Sequence, residues 1–363
     1  MWVEIAKDTF QKAEFKSLNF LFQILSWSPN NEYSRYNIFV DTEKTKDSVN
    51  FKLLSKIEKS LKEFLDTEFD DFVTSKPKNA QRDYRITYHK SDNNFNIEEA
   101  IHFLNQPVSI ILENNKNDST FIISIIEHFG GANGVNKAKK HLENNWLKFE
   151  NAGGCGNIPN FLVMFLNQFK KLSVQNSRPL SDYFRGLIII DSDREFINQP
   201  SKHISLIKSL NILGISNEQI HVLEKRMMEN YIPDEAYIYI KSQLHRQTEI
   251  TNWIDAYLNL SDEQKNFLNI PDGFPPKKAK YDSNGDRKKI DVQILNFFNL
   301  KNTDVNFIKL DSGFNFKGFQ SNGEFKNEFP KLFIKQLVNK ISLSKRDGKN
   351  ELEQIVQKIN NLL

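Results

Sequence analysis

The chain carries a single cysteine, Cys155, in 363 residues. That rules out an intrachain disulfide and points to a reducing, cytoplasmic setting. No H-x-x-x-H pair occurs among the seven histidines, and with one cysteine beside them no zinc site is expected. Long apolar runs are missing too. The longest, "VSIIL" and "GLIII", fall far short of the ~20 residues a bilayer-spanning helix needs, so no membrane partner is expected. The opening "MWVEIAKDTFQKAEF" spreads charges throughout and lacks the apolar centre of a signal peptide. Neither sign of charge dominates: 49 Lys and Arg against 46 Asp and Glu leave +3, too slight to mark a nucleic-acid binder by itself. A G-x-x-x-x-G-K-[ST] loop is absent, which excludes nucleotide hydrolysis of the P-loop type.

What is present is the composition of a globular protein, 39% hydrophobic and 26% charged, with length for two or three domains. Residues 1–105 read as mainly helical. "FKLLSKIEKSLKEFLDTEF" spaces its apolar residues at helical intervals, and "QRDYRITYHKSD" (81–92) alternates enough for one short strand. From 106 to 240 the rhythm becomes strand, turn, helix, repeated. The strands are 108–112, the "WLKFE" segment before a Gly-rich turn, "GLIII", and 220–223. A loop at 113–118 leads into a helix at 119–129, and further helices are predicted over "IPNFLVMFLNQFKKL" and "KHISLIKSLNILG". Four strands alternating with helices predict an α/β fold with a central, mostly parallel four-stranded sheet. Residues 241–363 return to helical patterns around a Pro/Lys/Asp/Gly-rich loop or linker at 270–289. Within it "DSNGD" resembles the start of an EF-hand loop, but Gln293 stands where the loop's glutamate should be, so it reads as a turn.

Ligands of open parallel sheets gather at the carboxyl ends of the strands. Here those ends deliver Glu113, then Gly153 and Gly154, then Asp191 and Asp193, then the cluster Lys225, Arg226 and Glu229. Asp191 and Asp193 lie two residues apart, so on extended chain they point the same way with Cα atoms roughly 6–7 Å apart. Such a pair alone is more often a strand-end turn or a helix cap than a metal site. Three carboxylates at one edge would repel one another unless a cation neutralised them, and Mg²⁺ favours such hard oxygen ligands.

A Glu after the first strand, a Gly turn after the second and Asp-x-Asp after the third resemble the TOPRIM domain, shared by topoisomerases, bacterial primases and nucleases of the OLD (overcoming lysogenisation defect) family. The fourth element, "LEKRMMENYIPDEAY", is similar to OLD-like nucleases of phage defence, where a basic residue precedes Glu-Asn-Tyr. The resemblance covers about 105–240. One departure is that "ENNKND" has Asn114 where the family has Gly, with Asp118 five rather than four positions after Glu113.

The resemblance implies a divalent-metal-dependent endonuclease using Mg²⁺ or Mn²⁺. It makes Glu113, Asp191 and Asp193 the metal ligands, with Asp118 a further candidate and Glu113 alternatively a general base. Lys225 or Arg226, with Glu229, match the fourth-strand cluster, where a cation would steady phosphoryl charge. Gly153 and Gly154 would let nucleic acid approach the backbone. Nucleic acid is the implied partner, DNA or RNA, tRNA included. A separate ATPase subunit of an antiphage or abortive-infection system is a second, and self-association a third. The rival expectation is a non-catalytic TOPRIM-like regulatory or sensor subunit whose acidic edge meets a partner's basic surface.

Overall fold

In the computed structural model the described residues are all but 27–34, 76–83, 92–93, 245–246, 277–279, 302, 315–324 and 334–337. The fold is mixed α/β, built on two four-stranded sheets in which every strand pairing is parallel. The first contains β1 (Trp2–Ile5), β2 (Asn37–Phe39), β3 (Tyr84–Thr87) and β4 (Phe95–Asn96), in the order β2-β1-β3-β4. Helices make up most of residues 1–105, as their apolar spacing indicates, but they surround this small sheet. Of its strands only β3 has a sequence pattern strong enough to be predicted. The others span two to four residues, too short for period-two alternation to register.

The second sheet contains β5 (Val108–Leu112), β6 (Leu147–Asn151), β7 (Gly186–Ile190) and β8 (Ile220–Val222), in the order β6-β5-β7-β8. Every residue of β5 and β7 is buried, and the reason lies in the two faces of the sheet. Val108, Ile110, Leu112, Leu187 and Ile189 point into the core shared with helix Asn115–Phe129 and the C-terminal helices. Ile111, Ile188 and Ile190 point the other way, against Leu162 of helix Ile158–Asn167 and Leu210 of helix Ile204–Ile212. With apolar layers on both sides, neither strand needs an alternating polar face, which is why both read as nearly continuous apolar runs, broken only by the buried Ser109.

The C-terminal helices are part of this core. Trp253, Tyr257, Leu352, Ile355 and Ile359 pack in the same cluster as the strands β5 and β7, so 241–363 completes the sheet's cover. The described residues of 270–289 form a loop that is held in place: Arg287 pairs through Nε and Nη2 with the Asp311 carboxylate at 2.7 and 2.8 Å. "DSNGD" is a turn in which Asp282 Oδ1 accepts from the N–H groups of Asn284 and Asp286.

Arg185, fully buried one residue before β7, joins three parts of the chain. It donates to the Tyr36 hydroxyl at 3.0 Å, to the Gln106 carbonyl at 3.3 Å and to the Leu362 carbonyl at 3.0 Å. Among the described residues no helix is long and apolar enough to cross a membrane.

Candidate metal centre at the carboxyl edge of the second sheet

Because β5 and β7 are adjacent and parallel, their carboxyl ends lie side by side. Glu113 follows β5 and Asp191 follows β7, and the Glu113 Oε1 atom accepts a hydrogen bond from the Asp191 N–H at 3.3 Å. The Asp191 Oδ1 atom accepts in turn from the Met228 N–H at 3.2 Å, which draws in the segment after β8. Burial raises the Asp191 carboxyl well above the usual carboxylate range, and Glu229, Glu113, Asp118 and Asp193 add their negative charge to the effect. Asp191 is only half-buried, so solvent screens part of this repulsion. Three strand ends, those of β5, β7 and β8, thus bring five acidic residues within electrostatic reach.

Asp193 adopts a left-handed backbone with φ of 53°, a conformation Asp tolerates better than most residues. Its N–H donates to the Arg226 carbonyl at 3.0 Å, and Ser192 Oγ donates to the Lys225 carbonyl at 2.8 Å, stitching the turn after β7 to the turn after β8.

The helix predicted to start at 119 begins at Asn115, so the loop after β5 is Glu113 and Asn114 alone. Asp118 lies in the first turn of that helix and its Oδ2 accepts from the Asn114 N–H at 3.0 Å. This bond satisfies a helix N-terminal donor, and the helix dipole favours an acid there. The local motif therefore carries helix geometry into what reads as loop.

Lys225 and Arg226 are neighbours in sequence and face different surroundings. Lys225 Nζ donates to Asn266 Oδ1 at 2.6 Å and sits 5.2 Å from the Tyr231 ring centre. Burial lowers its ammonium to about 7, with Arg346 adding to the effect and Asp347 and Glu351 opposing it. It looks toward the C-terminal helices. Arg226 looks toward the acidic edge: its Nη2 lies 3.8 Å from Glu195 Oε1, and Glu195, Asp193 and Asp191 counter the lowering that burial causes. Glu229 is buried within the short 3₁₀ turn Met228–Tyr231.

Gly153 and Gly154 form the turn after β6, with φ of 74° and 108°. Gly154 combines that φ with a ψ of 154°, a region open to little besides glycine. Its N–H donates to the Glu113 carbonyl at 3.2 Å, and a Cβ built on it would meet open space. The turn lifts Cys155 beside Glu113, so that Sγ donates to Glu113 Oε1 at 2.6 Å. Burial, then the Glu113 charge and this hydrogen bond, push the thiol far up from its ordinary value.

His203 completes the arrangement from the N-terminus of helix Ile204–Ile212. Single ligand atoms of Glu113, Cys155 and His203 lie within 4.8 Å of one another, a grouping that could hold a metal ion. Neither Cys155 nor His203 stands out in the sequence. They lie 48 positions apart without a spacing motif, and only the turn after β6 and the start of the later helix bring them together.

Comparison with family models, with curated proteins and with solved structures finds no match for this chain.

Proposed function

We propose that the chain is a divalent-metal-dependent nuclease of the TOPRIM type, acting on phosphodiester bonds as the effector of a bacterial antiphage or abortive-infection system. The observation that carries this reading is the hydrogen bond between Glu113 and the Asp191 N–H, since it sets the Glu113 carboxylate against the strand end that carries Asp191 and Asp193. Glu113, Asp191 and Asp193 are the residues that would hold Mg²⁺ or Mn²⁺. The residue types suit the ion, because mutually repelling carboxylates at a sheet edge need a cation to coexist ionised, and Asp191 and Asp193 would have to close on Glu113, whose neighbours within 4.8 Å are Cys155 and His203. A bound ion would supply Lewis-acid stabilisation of charge on the phosphate oxygens.

The chain's own residues do the rest. Arg226, directed at the acidic edge, offers a guanidinium for a phosphate oxygen. Lys225 is turned away and serves the packing of the C-terminal helices. The Gly153–Gly154 turn leaves room for nucleic acid to approach the edge. These 363 residues hold no P-loop, and an ATPase subunit is the partner this reading implies. The test is cleavage of DNA and RNA, tRNA included, by wild type, Asp191→Ala and Glu113→Gln, each with Mg²⁺, Mn²⁺ and EDTA. Metal-dependent cleavage lost in both variants is expected. Equal cleavage in EDTA, or full activity in both variants, rules the reading out.

One observation favours the non-catalytic alternative. Glu113 Oε1 already accepts from Asp191 and from Cys155, so the edge is internally bonded without a cation. In that case no divalent ion would alter the protein's melting temperature.

A further inference from the structure

The candidate centre contains two ligand types that a hard-ion site does not use. Mg²⁺ takes oxygen ligands, whereas thiolate and imidazole select borderline-soft ions. Cys155 and His203 supply one of each beside the Glu113 carboxylate. They come from the turn after β6 and from the first residue before helix Ile204–Ile212, both anchored positions. The His203 N–H donates to Ser201 Oγ at 3.1 Å, which holds the start of that helix.

A second observation, independent of the cysteine, points the same way. His203 is 7% exposed, and its Nε2 is buried with no hydrogen-bond partner. Asp193 Oδ2 lies 3.9 Å from it, outside hydrogen-bond reach. A buried ring nitrogen left unsatisfied keeps the full cost of its desolvation. A cation placed among these groups would remove that cost by taking the nitrogen as a ligand.

We propose that Glu113, Cys155 and His203 form a binding site for a transition-metal ion of the Zn²⁺ class, with the Asp193 carboxylate or water as the fourth ligand. Tetrahedral zinc with bonds of ~2.0–2.3 Å sets its ligand atoms about 3.3–3.8 Å apart. Against the 2.6 Å between Cys155 Sγ and Glu113 Oε1 and the 4.8 Å limit for the set, side-chain movements of about 1 Å satisfy that geometry. Binding releases the thiol proton to solvent, and the ion takes the place of the Cys155–Glu113 hydrogen bond. A consequence rests on the nuclease reading: Glu113 would be shared, so a Zn²⁺-class ion would keep Mg²⁺ from that carboxylate and hold the enzyme inactive.

The experiment is Co²⁺ titration of the full chain, followed by thiolate-to-cobalt charge-transfer absorption in the near ultraviolet. Cys155 is the sole cysteine, so the band reports on this site alone. Wild type should show the band, stoichiometric Zn²⁺ should abolish it, and excess Mg²⁺ should leave it. Cys155→Ser keeps a donor for Glu113 and should fold while losing the band. His203→Ala should weaken Co²⁺ binding by about tenfold or more, since even outer-shell partners commonly matter that much. No band in folded wild type, or unchanged Co²⁺ affinity in His203→Ala, overturns the site. Cleavage assays on the same samples separate the two readings. A band without cleavage in any divalent ion keeps the site and removes the nuclease, whereas Mg²⁺-dependent cleavage without a band does the reverse. Where both are present, trace Zn²⁺ should suppress wild-type cleavage. Undiminished cleavage with the site saturated by Zn²⁺ rules out the shared use of Glu113.

Discussion

The Glu113 carboxylate accepts a hydrogen bond from the Asp191 backbone across 78 positions of sequence. The pairing of β5 with β7, Ile111 opposite Ile188, sets the two strand ends level. The contact is therefore a property of sheet register, and whatever disturbs that register disturbs the centre.

Asp191 should trade stability for function. Its carboxyl is held well above the ordinary range, first by burial and then by its acidic neighbours. The native state thus binds the proton more tightly than the unfolded chain, so stability falls as pH rises from about 3.9 through the raised value. In EDTA at pH 7, Asp191→Asn should be more stable than wild type by on the order of 1 kcal/mol, and the gain should vanish below about pH 4. Asparagine keeps an oxygen for the Met228 N–H. Calorimetry over that pH range checks the sign, and cleavage by the same variant should fall by about 10²-fold or more.

Lys225 and Arg226 should separate in their effects. With the Lys225 ammonium lowered to about 7, the unfolded chain binds more protons between that pH and about 10.4, so stability climbs with pH across this window. Lys225→Met should flatten the climb, and Asn266 Oδ1 stays satisfied because Arg346 Nη1 also donates to it at 2.8 Å. Arg226→Ala should instead reduce cleavage by about 10²-fold. Urea melts at several pH values, paired with cleavage rates, distinguish the two positions. Equal losses of cleavage would show that the two residues share a role.

Glu351 should be among the least replaceable residues of the C-terminal region. It is 2% exposed. Its Oε1 accepts from the Glu224 N–H and pairs with His221 Nε2, both at 2.8 Å, while Oε2 accepts from the Tyr231 hydroxyl. Glu351→Ala strands these buried partners and should cost about 3–5 kcal/mol in urea unfolding. Because Glu224 and Tyr231 bracket Arg226 and Glu229, nuclease activity should fall with it even under conditions where the variant is folded.

Gly154 and Gly156 share a turn and should respond differently to alanine. A Cβ meets open space at either position. Gly154 alone sits at positive φ, 108° with ψ of 154°, so Gly154→Ala should cost about 1–3 kcal/mol by backbone strain. Gly156→Ala should lie within about 0.5 kcal/mol of wild type. Thermal melts of the two variants measure the difference.

Much of the second sheet is legible in the amino-acid sequence because its causes are local. "VSIIL" and "GLIII" lack the polar alternation of a half-exposed strand, Ser109 being their one polar side chain, so burial on both faces follows from composition. Gly214, at φ of 85°, marks the end of its helix by a conformation that other residues resist. Glu113 and Asp191 follow their strands directly, and parallel strands place such residues at a common edge.

The rest depended on relations the sequence does not carry. The first sheet, apart from β3, is not legible because strands of two to four residues leave no periodicity, and the partners of β1 lie 35 or more positions away. The different surroundings of Lys225 and Arg226 were decided by Asn266 and Glu195, which approach from separate elements. Cys155 and His203 met Glu113 only through the turn after β6 and the start of a later helix. A strand reveals itself through its own burial pattern. A ligand set of mixed donors exists only once distant elements have packed, because distance in space, not spacing in sequence, determines whether three atoms can share an ion.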